Sequence, residues 1–231
     1  MKESKKQCDL NTCMMCRLCM KEWKPALAAS RSNYTYRKGE LIFKEGDAVR
    51  GVYFINEGTV KVHKQWGDKE LILRLANSGA IAGHRGLGGD FIYPVSATAL
   101  GTTEVCFFDL DFFRATIKVN HDLSYELIMF LAGDLKESEQ NMRNLVHMPV
   151  KNRIAQALIA LENKFGVREN GIIDIDISRQ DLASFVGTTY ETLFRMLNEL
   201  IEEGLIKADG RHLQIIDKNR VSTLTQWHNN S

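Results

Sequence analysis

The sequence predicts an α+β chain in three parts: an N-terminal antiparallel β-barrel or jelly roll of cupin-like form, a long dimerisation helix, and a C-terminal winged helix-turn-helix. Three observations carry that expectation. Residues 31 to about 115 break into short β-rich runs punctuated by glycine. Residues 121–147 hold no proline and a single glycine, with apolar side chains at alternating three- and four-residue intervals. Residues 178–203, SRQDLASFVGTTYETLFRMLNELIEE, read as two short helices about a tight turn at Gly187. The expected segments are a cysteine-rich arm over 1–30, a barrel over 31–118, the long helix over 119–148 and the winged domain over 149–231.

The arm carries CDLNTCMMCRLC over residues 8–19. Four crowded cysteines, with a fifth at 106, suit a metal site better than disulfides in a reducing compartment. Cys13, Cys16 and Cys19 have iron–sulfur spacing, in which close thiolates hold three iron corners and a remote cysteine holds the fourth. Cys8, Cys13 and Cys16 also fit a plant-type ferredoxin run, and the four arm cysteines suit one zinc ion. Cys106, in EVCFF, is either the remote thiol or a small core residue of a strand.

In the barrel, VYFI, TVKVH and LILRL are β-rich or alternating runs, separated by the turn sequences NEG and WGD. The long helix presents Ile128, Leu131, Leu135, Ser138, Met142 and Leu145 as a coiled-coil seam for a homodimer. Ser138, with Asp134, Glu137 and Glu139 nearby, weakens that seam and makes dimerisation switchable. Pro149 marks the hinge that follows.

Residues 151–163 form an amphipathic helix on Ile154, Ala155, Leu158, Ile159 and Leu161, and GIIDIDI over 171–177 alternates as a strand does. Ser178 with Asp181, and Thr188 with Glu191, fit the capping pattern of two helix starts. With Leu193, Met196, Leu197, Leu200 and Ile201 packed inward, the second helix turns Tyr190, Glu191, Phe194 and Arg195 outward. Arginine can bridge O6 and N7 of guanine in the major groove, and glutamate can accept from N4 of cytosine. Thr188, Thr189 and Arg179 are further expected DNA contacts. Asp209-Gly210 suggests a type I′ hairpin, the wing, with Arg211 at its tip as a phosphate contact.

Composition narrows the function classes. At 231 residues, 44% hydrophobic and 26% charged, the chain reads as globular. No run approaches the ~18 apolar residues of a membrane span, and the N-terminus lacks a signal-peptide core. A cytoplasmic protein without a membrane partner is expected. The net charge is +1, and from Lys151 onward ten Lys and Arg face eleven Asp and Glu. That disfavours binding nucleic acid by bulk charge and leaves a local reading face whose affinity depends on dimerisation. No Ser/His/Asp constellation, phosphate-cradling loop or HExxH run is present, so no enzyme is expected.

In this order the parts resemble the Crp/Fnr superfamily of bacterial transcription regulators. The resemblance covers nearly all of the chain and rests on GVYFINEGTVKV, SRQDLASFVG, ETLFRMLNELIEEGLI and the wing. It implies a homodimer that binds a two-fold double-stranded DNA operator and contacts RNA polymerase, with Glu191 and Arg195 reading a TGA-containing half-site. Tyr190 stands where relatives often carry arginine or valine, and Phe194 replaces a small residue. Cyclic-nucleotide binders carry a glutamate for the ribose and an arginine followed by a hydroxyl residue for the phosphate. Those positions here are His84, Tyr93 and Pro94, which argues against a cyclic nucleotide.

Fnr-type members hold an oxygen-sensitive [4Fe–4S] cluster with arm cysteines and one late-barrel cysteine, where Cys106 falls. The implied ligands are Cys13, Cys16, Cys19 and Cys106, with Cys8 as substitute. The alternative set is the four arm cysteines, with Cys106 in the core. Other readings are a regulator of this fold with structural zinc and a different small-molecule or haem signal, and, more distantly, an iron–sulfur electron carrier.

Overall fold

The computed structural model describes residues 2–3 and 13–226, so Cys8 lies outside the described residues. The chain forms two compact units, divided between Glu137 and Ser138.

The first unit opens with β1 (Lys2–Glu3), α1 (Met14–Leu18), a 3-10 turn (Lys21–Trp23) and α2 (Lys24–Ser30). Eight strands follow: β2 (Ser32–Tyr36), β3 (Leu41–Phe43), β4 (Gly51–Glu57), β5 (Val60–Trp66), β6 (Lys69–Ala76), β7 (Ile81–Ala82), β8 (Ser96–Ala99) and β9 (Thr103–Asp109). A 3-10 turn (His84–Leu87) lies between β7 and β8. Then come α3 (Leu110–Val119) and α4 (His121–His147), whose residues from Ser138 onward belong to the second unit. The strands form two antiparallel sheets, β1-β2-β9-β4-β7 and β3-β8-β5-β6, the layers of a jelly roll.

The pleat sorts the central strands into two cores. On β9, Val105 and Phe107 join the cluster inside the barrel, while Cys106 and Phe108 join a second cluster. On β4, Tyr53 and Ile55 go inward and Val52 and Phe54 outward. The second cluster is completed by Met15 of α1, Leu27 of α2, Phe113 of α3, and Leu123 and Leu127 of α4. Helices therefore cover the outer face of this sheet, and β4 and β9 are buried on both sides. Gly51 makes their approach possible, because a Cβ there would meet the Phe108 carbonyl oxygen at 2.0 Å.

Helix α3 falls within the segment expected to be barrel. LDFFRATIKV is rich in aromatic and β-branched residues, and the cap decides it: Asp109 accepts from the Phe112 N–H at 2.9 Å.

The second unit includes α5 (Val150–Phe165), α6 (Arg179–Val186), α7 (Tyr190–Glu202), the hairpin β10 (Ile206–Asp209) and β11 (His212–Ile215), and α8 (Lys218–Thr223). Ile154, Leu158 and Leu161 of α5, Leu182 and Val186 of α6, and Leu193, Leu197 and Leu200 of α7 are all buried. Residues 171–177 differ from expectation. Ile173, Ile175 and Ile177 alternate in burial as a strand's would, but among the described residues the segment forms no ladder: it bridges from Ile173 to Val167, the Ile173 N–H donates to the Leu213 carbonyl at 2.9 Å, and the Ile175 N–H turns back to the Ile173 carbonyl at 2.8 Å. The wing turn also differs. Asp209 pairs with His212, leaving Gly210 and Arg211 as the loop; Gly210 has φ +53° and Arg211 is not in the positive-φ region. This is the II′ pattern, with glycine first, not I′.

Candidate nucleic-acid interface and cysteine centre

Helices α6 and α7 are set by local signals. The Ser178 hydroxyl accepts from the Asp181 N–H at 3.0 Å and caps α6. Gly187 ends α6 at φ +74°, a left-handed position that glycine fills without strain. Helix α7 is capped by Thr189, which accepts from the Thr192 N–H at 3.2 Å; Thr188, the expected cap, lies one residue too early.

Sequence reasoning missed the residue that braces this turn. Arg153 of α5 donates to the carbonyls of Val186 and Gly187, each at 3.1 Å, and to those of Leu145 and Met148 at 3.2 and 3.0 Å. Burial lowers its guanidinium from the usual range. A lone arginine in an amphipathic helix gives no sequence cue to four carbonyl partners. Arg153→Ala is expected to cost on the order of 3 kcal/mol, because carbonyls lose a charged donor. The thermal unfolding midpoint of the variant measures it.

Tyr190, Glu191, Phe194 and Arg195 all lie exposed on α7, as expected. Arg179 does not join them. It is half-buried, its Nη2 reaches the His212 carbonyl of the wing at 3.5 Å, and its buried Nη1 has no hydrogen-bond partner among the described residues. Burial lowers this guanidinium too. Arg211 is exposed at the wing tip and pairs with Asp176 at 3.4 Å, a contact that solvent keeps weak.

Cys13, Cys16, Cys19 and Cys106 are buried in the one apolar cluster that covers the outer face of β4 and β9. Cys13 caps α1, its Sγ accepting from the Cys16 N–H at 3.4 Å. Cys19 ends α1, and its Sγ donates to Asn120 Oδ1 at 3.2 Å. The same Oδ1 accepts from the Met20 N–H at 2.7 Å, and Asn120 Nδ2 donates to the Thr116 carbonyl at 2.8 Å. Trp23 Nε1 donates to the Thr116 hydroxyl at 3.0 Å. The arm is thus tied to the junction of α3 and α4. Burial raises the Cys19 thiol above its ordinary range, against the Met20 N–H and Lys24. Among the described residues, no group of three or more His, Cys, Asp or Glu side chains is drawn together as metal ligands.

The barrel interior is filled by aromatic rings. Phe43 stacks on Tyr93 at 4.3 Å and on Tyr53 at 5.5 Å, and Tyr53 meets Phe107 at 4.9 Å. The Tyr93 hydroxyl donates to the Gly51 carbonyl at 2.8 Å. Burial raises these phenols, Tyr36 to about 12, so they stay neutral. His84 is buried, and burial lowers its imidazole. Its neighbour Arg85 is engaged elsewhere: Nε and Nη2 donate to Asp134 Oδ2 of α4 at 3.1 and 2.8 Å. Arg74 Nη1 stands 4.0 Å from Oδ1 of the same carboxylate.

Burial would raise the Asp134 carboxyl, but His84, Arg85 and Arg74 together outweigh it and hold the group at about 2. A carboxyl depressed in the fold contributes stability fully present above its ordinary value near 4 and lost as pH falls through about 2. Asp134→Asn is expected to cost about 2 kcal/mol at neutral pH, where it removes the charge that Arg85 and Arg74 face, and nothing below pH ~2, where the carboxyl is itself neutral. Unfolding of both proteins across pH 2–7 checks this.

A jelly roll, a long helix with an exposed apolar seam, and a winged helix-turn-helix with an outward Glu/Arg pair define a DNA-binding regulator. Known proteins agree. The cyclic nucleotide-binding domain family matches residues 34–120, and the Crp-like helix-turn-helix domain family matches residues 152–224. The chain is 30% identical over 185 residues to an anaerobic regulatory protein of Bacillus subtilis, covering 78% of each. It is 26% identical over 200 residues to a CRP-like cAMP-activated global transcriptional regulator of Mycobacterium tuberculosis, covering 85% of this chain and 89% of that one.

Among solved structures, FixK2 of Bradyrhizobium japonicum superposes with a TM-score of 0.76 at 23% identity, over 86% of this chain and 98% of that one. A CooA mutant of Carboxydothermus hydrogenoformans gives 0.77 at 19%, over 94% and 97%. These two show the fold. The chain belongs to the Crp/Fnr family and is a Crp-like transcription regulator, not an enzyme. Among the described residues, no helix is long and apolar enough to cross a membrane.

Proposed function

We propose that this regulator responds to oxygen or nitric oxide through a [4Fe–4S] cluster held by Cys13, Cys16, Cys19 and Cys106. The carrying observation is that these four thiols share one buried apolar shell with Leu123 and Leu127, in the first turns of α4. The donor set fits: thiolates are the ligands of iron–sulfur clusters, and an apolar shell controls solvent access to them. When bound, such a cluster supplies an oxygen-labile junction between the arm and the barrel.

The chain's own residues carry the rest. Asn120 and Thr116 tie the arm to the start of α4, and Ile128, Leu135 and Met142, exposed by 61–63%, offer a seam to a second copy. Leu131 and Leu145 extend that seam, and the half-buried Ser138 interrupts it. Anchoring α1 favours a homodimer, and the dimer sets two α7 helices on half-sites about one helical turn apart. Glu191 and Arg195 read the core step, Thr188, Thr189 and Arg211 approach the backbone, and Arg179 steadies the wing. RNA polymerase is the further partner, in the cytoplasm. The aromatic filling of the barrel and the engagement of Arg85 with Asp134 speak against a cyclic nucleotide there.

The test is the absorption spectrum of protein purified without oxygen, with iron and sulfide counted on the same sample. About four of each per chain, with a broad band near ~400 nm that fades in air, is the expected result. A colourless protein with one zinc per chain would overturn the sensing role and make the cysteines a staple.

A further inference from the structure

Helix α7 carries two parallel rows four residues apart, Glu191 with Arg195 and Tyr190 with Phe194. The second row has no counterpart in the packing of its unit. Tyr190 is 44% and Phe194 55% exposed, and the two rings stack on each other at 6.5 Å with planes 14° apart. The buried side of α7 is supplied by Leu193, Leu197 and Leu200, so neither ring is needed there. Two large rings held in water cost hydrophobic free energy that nothing in the unit returns. Among the side chains of the first turns, these two add apolar area to a face otherwise suited to hydrogen bonding. The major groove offers one apolar group, the C5-methyl of thymine, and phenylalanine is among the side chains that meet it.

We infer that Tyr190 and Phe194 form an apolar clamp that reads the 5-methyl group of a thymine beside the step read by Glu191 and Arg195. The inference rests on α7 as the reading helix. The rows lie side by side, so the base pairs they address are adjacent. The stacked pair is pre-ordered by its own contact and loses little further freedom on binding. The clamp disfavours cytosine at that position, because cytosine lacks the methyl group that the rings would cover.

The experiment selects operators from random duplex DNA with the anaerobically prepared full-length protein. Each thymine of the enriched half-site is then replaced by uracil, which removes the methyl group and changes no hydrogen-bonding atom. One position flanking the Glu/Arg step should lose about fourfold in affinity per half-site, the worth of one buried carbon. That loss should vanish in Phe194→Ser, while the response to changing the guanine read by Arg195 persists. Tyr190→Leu is the second variant, keeping an apolar side chain and removing the stack; it should reduce the methyl response and leave the guanine response intact. Enrichment with no uracil-sensitive position overturns the clamp, as does a methyl response unchanged in both variants. A pool with no enriched sequence overturns the reading helix itself, and the clamp with it.

Discussion

Arg195→Ala is expected to bring operator binding most of the way down to the level of unrelated DNA. Arg195 is exposed on α7, so its removal should leave stability within about 0.5 kcal/mol. A bidentate arginine–guanine pair discriminates by roughly 1–3 kcal/mol, and a homodimer carries two copies. The combined loss is therefore roughly 2–6 kcal/mol, from about thirtyfold to about twenty-thousandfold. Binding to scrambled duplex should hardly move, since phosphate contacts remain. Arg195→Lys should behave nearly as badly, because an ammonium cannot fork across O6 and N7. Anisotropy titrations of operator and scrambled duplex at one fixed salt concentration measure the ratio. An unchanged ratio would mean that α7 does not read DNA through this residue.

The second large effect concerns Cys106. Cys106→Ala should leave the anaerobic protein without most of its iron and without the ~400 nm band, and should shift it toward monomer on a sizing column. Alanine is the instructive replacement. Cys106 is buried opposite Phe54 on β4, in the same apolar cluster as Phe108, where a serine hydroxyl would add a desolvation cost of about 1–3 kcal/mol and confuse loss of the ligand with loss of the fold. Alanine removes one sulfur and keeps the site apolar, at a cost of about 1 kcal/mol. If iron and colour persist, Cys106 is a packing residue and Cys8 supplies the fourth thiolate. Comparison with Cys8→Ala then decides between the two ligand sets.

Much of this was legible in the sequence, for reasons that differ by element. The amphipathic stripe of α7, the Gly187 turn and the proline-free run of α4 are local patterns, and each keeps its meaning in the fold. The cap of α7 slipped by one residue because Thr188 and Thr189 are chemically equivalent, and only backbone geometry selects between them. GIIDIDI alternates correctly in burial yet lacks a ladder, since periodicity reports which side faces the core and says nothing about a partner strand. Helix α3 was hidden because its aromatic residues suit a strand equally well. The Arg74–Arg85–Asp134 network and the four carbonyls on Arg153 were invisible for a deeper reason. Each joins residues on different elements, Arg85 to Asp134 and Arg153 to Val186 and Gly187, and no spacing rule connects them.

The burial of β9 on both faces bears on how such a regulator can be retuned. Val105 and Phe107 line the barrel, while Cys106 and Phe108 belong to the cysteine shell, and the pleat keeps the two sets apart. Substitutions at odd positions can refit the barrel for a new effector without disturbing the thiol, and those at even positions can alter the shell without touching the barrel. A single inserted residue does the opposite, exchanging the two linings at once. Divergence along this strand therefore has one permissive route, replacement in steps of two, and one forbidden route, a change of length.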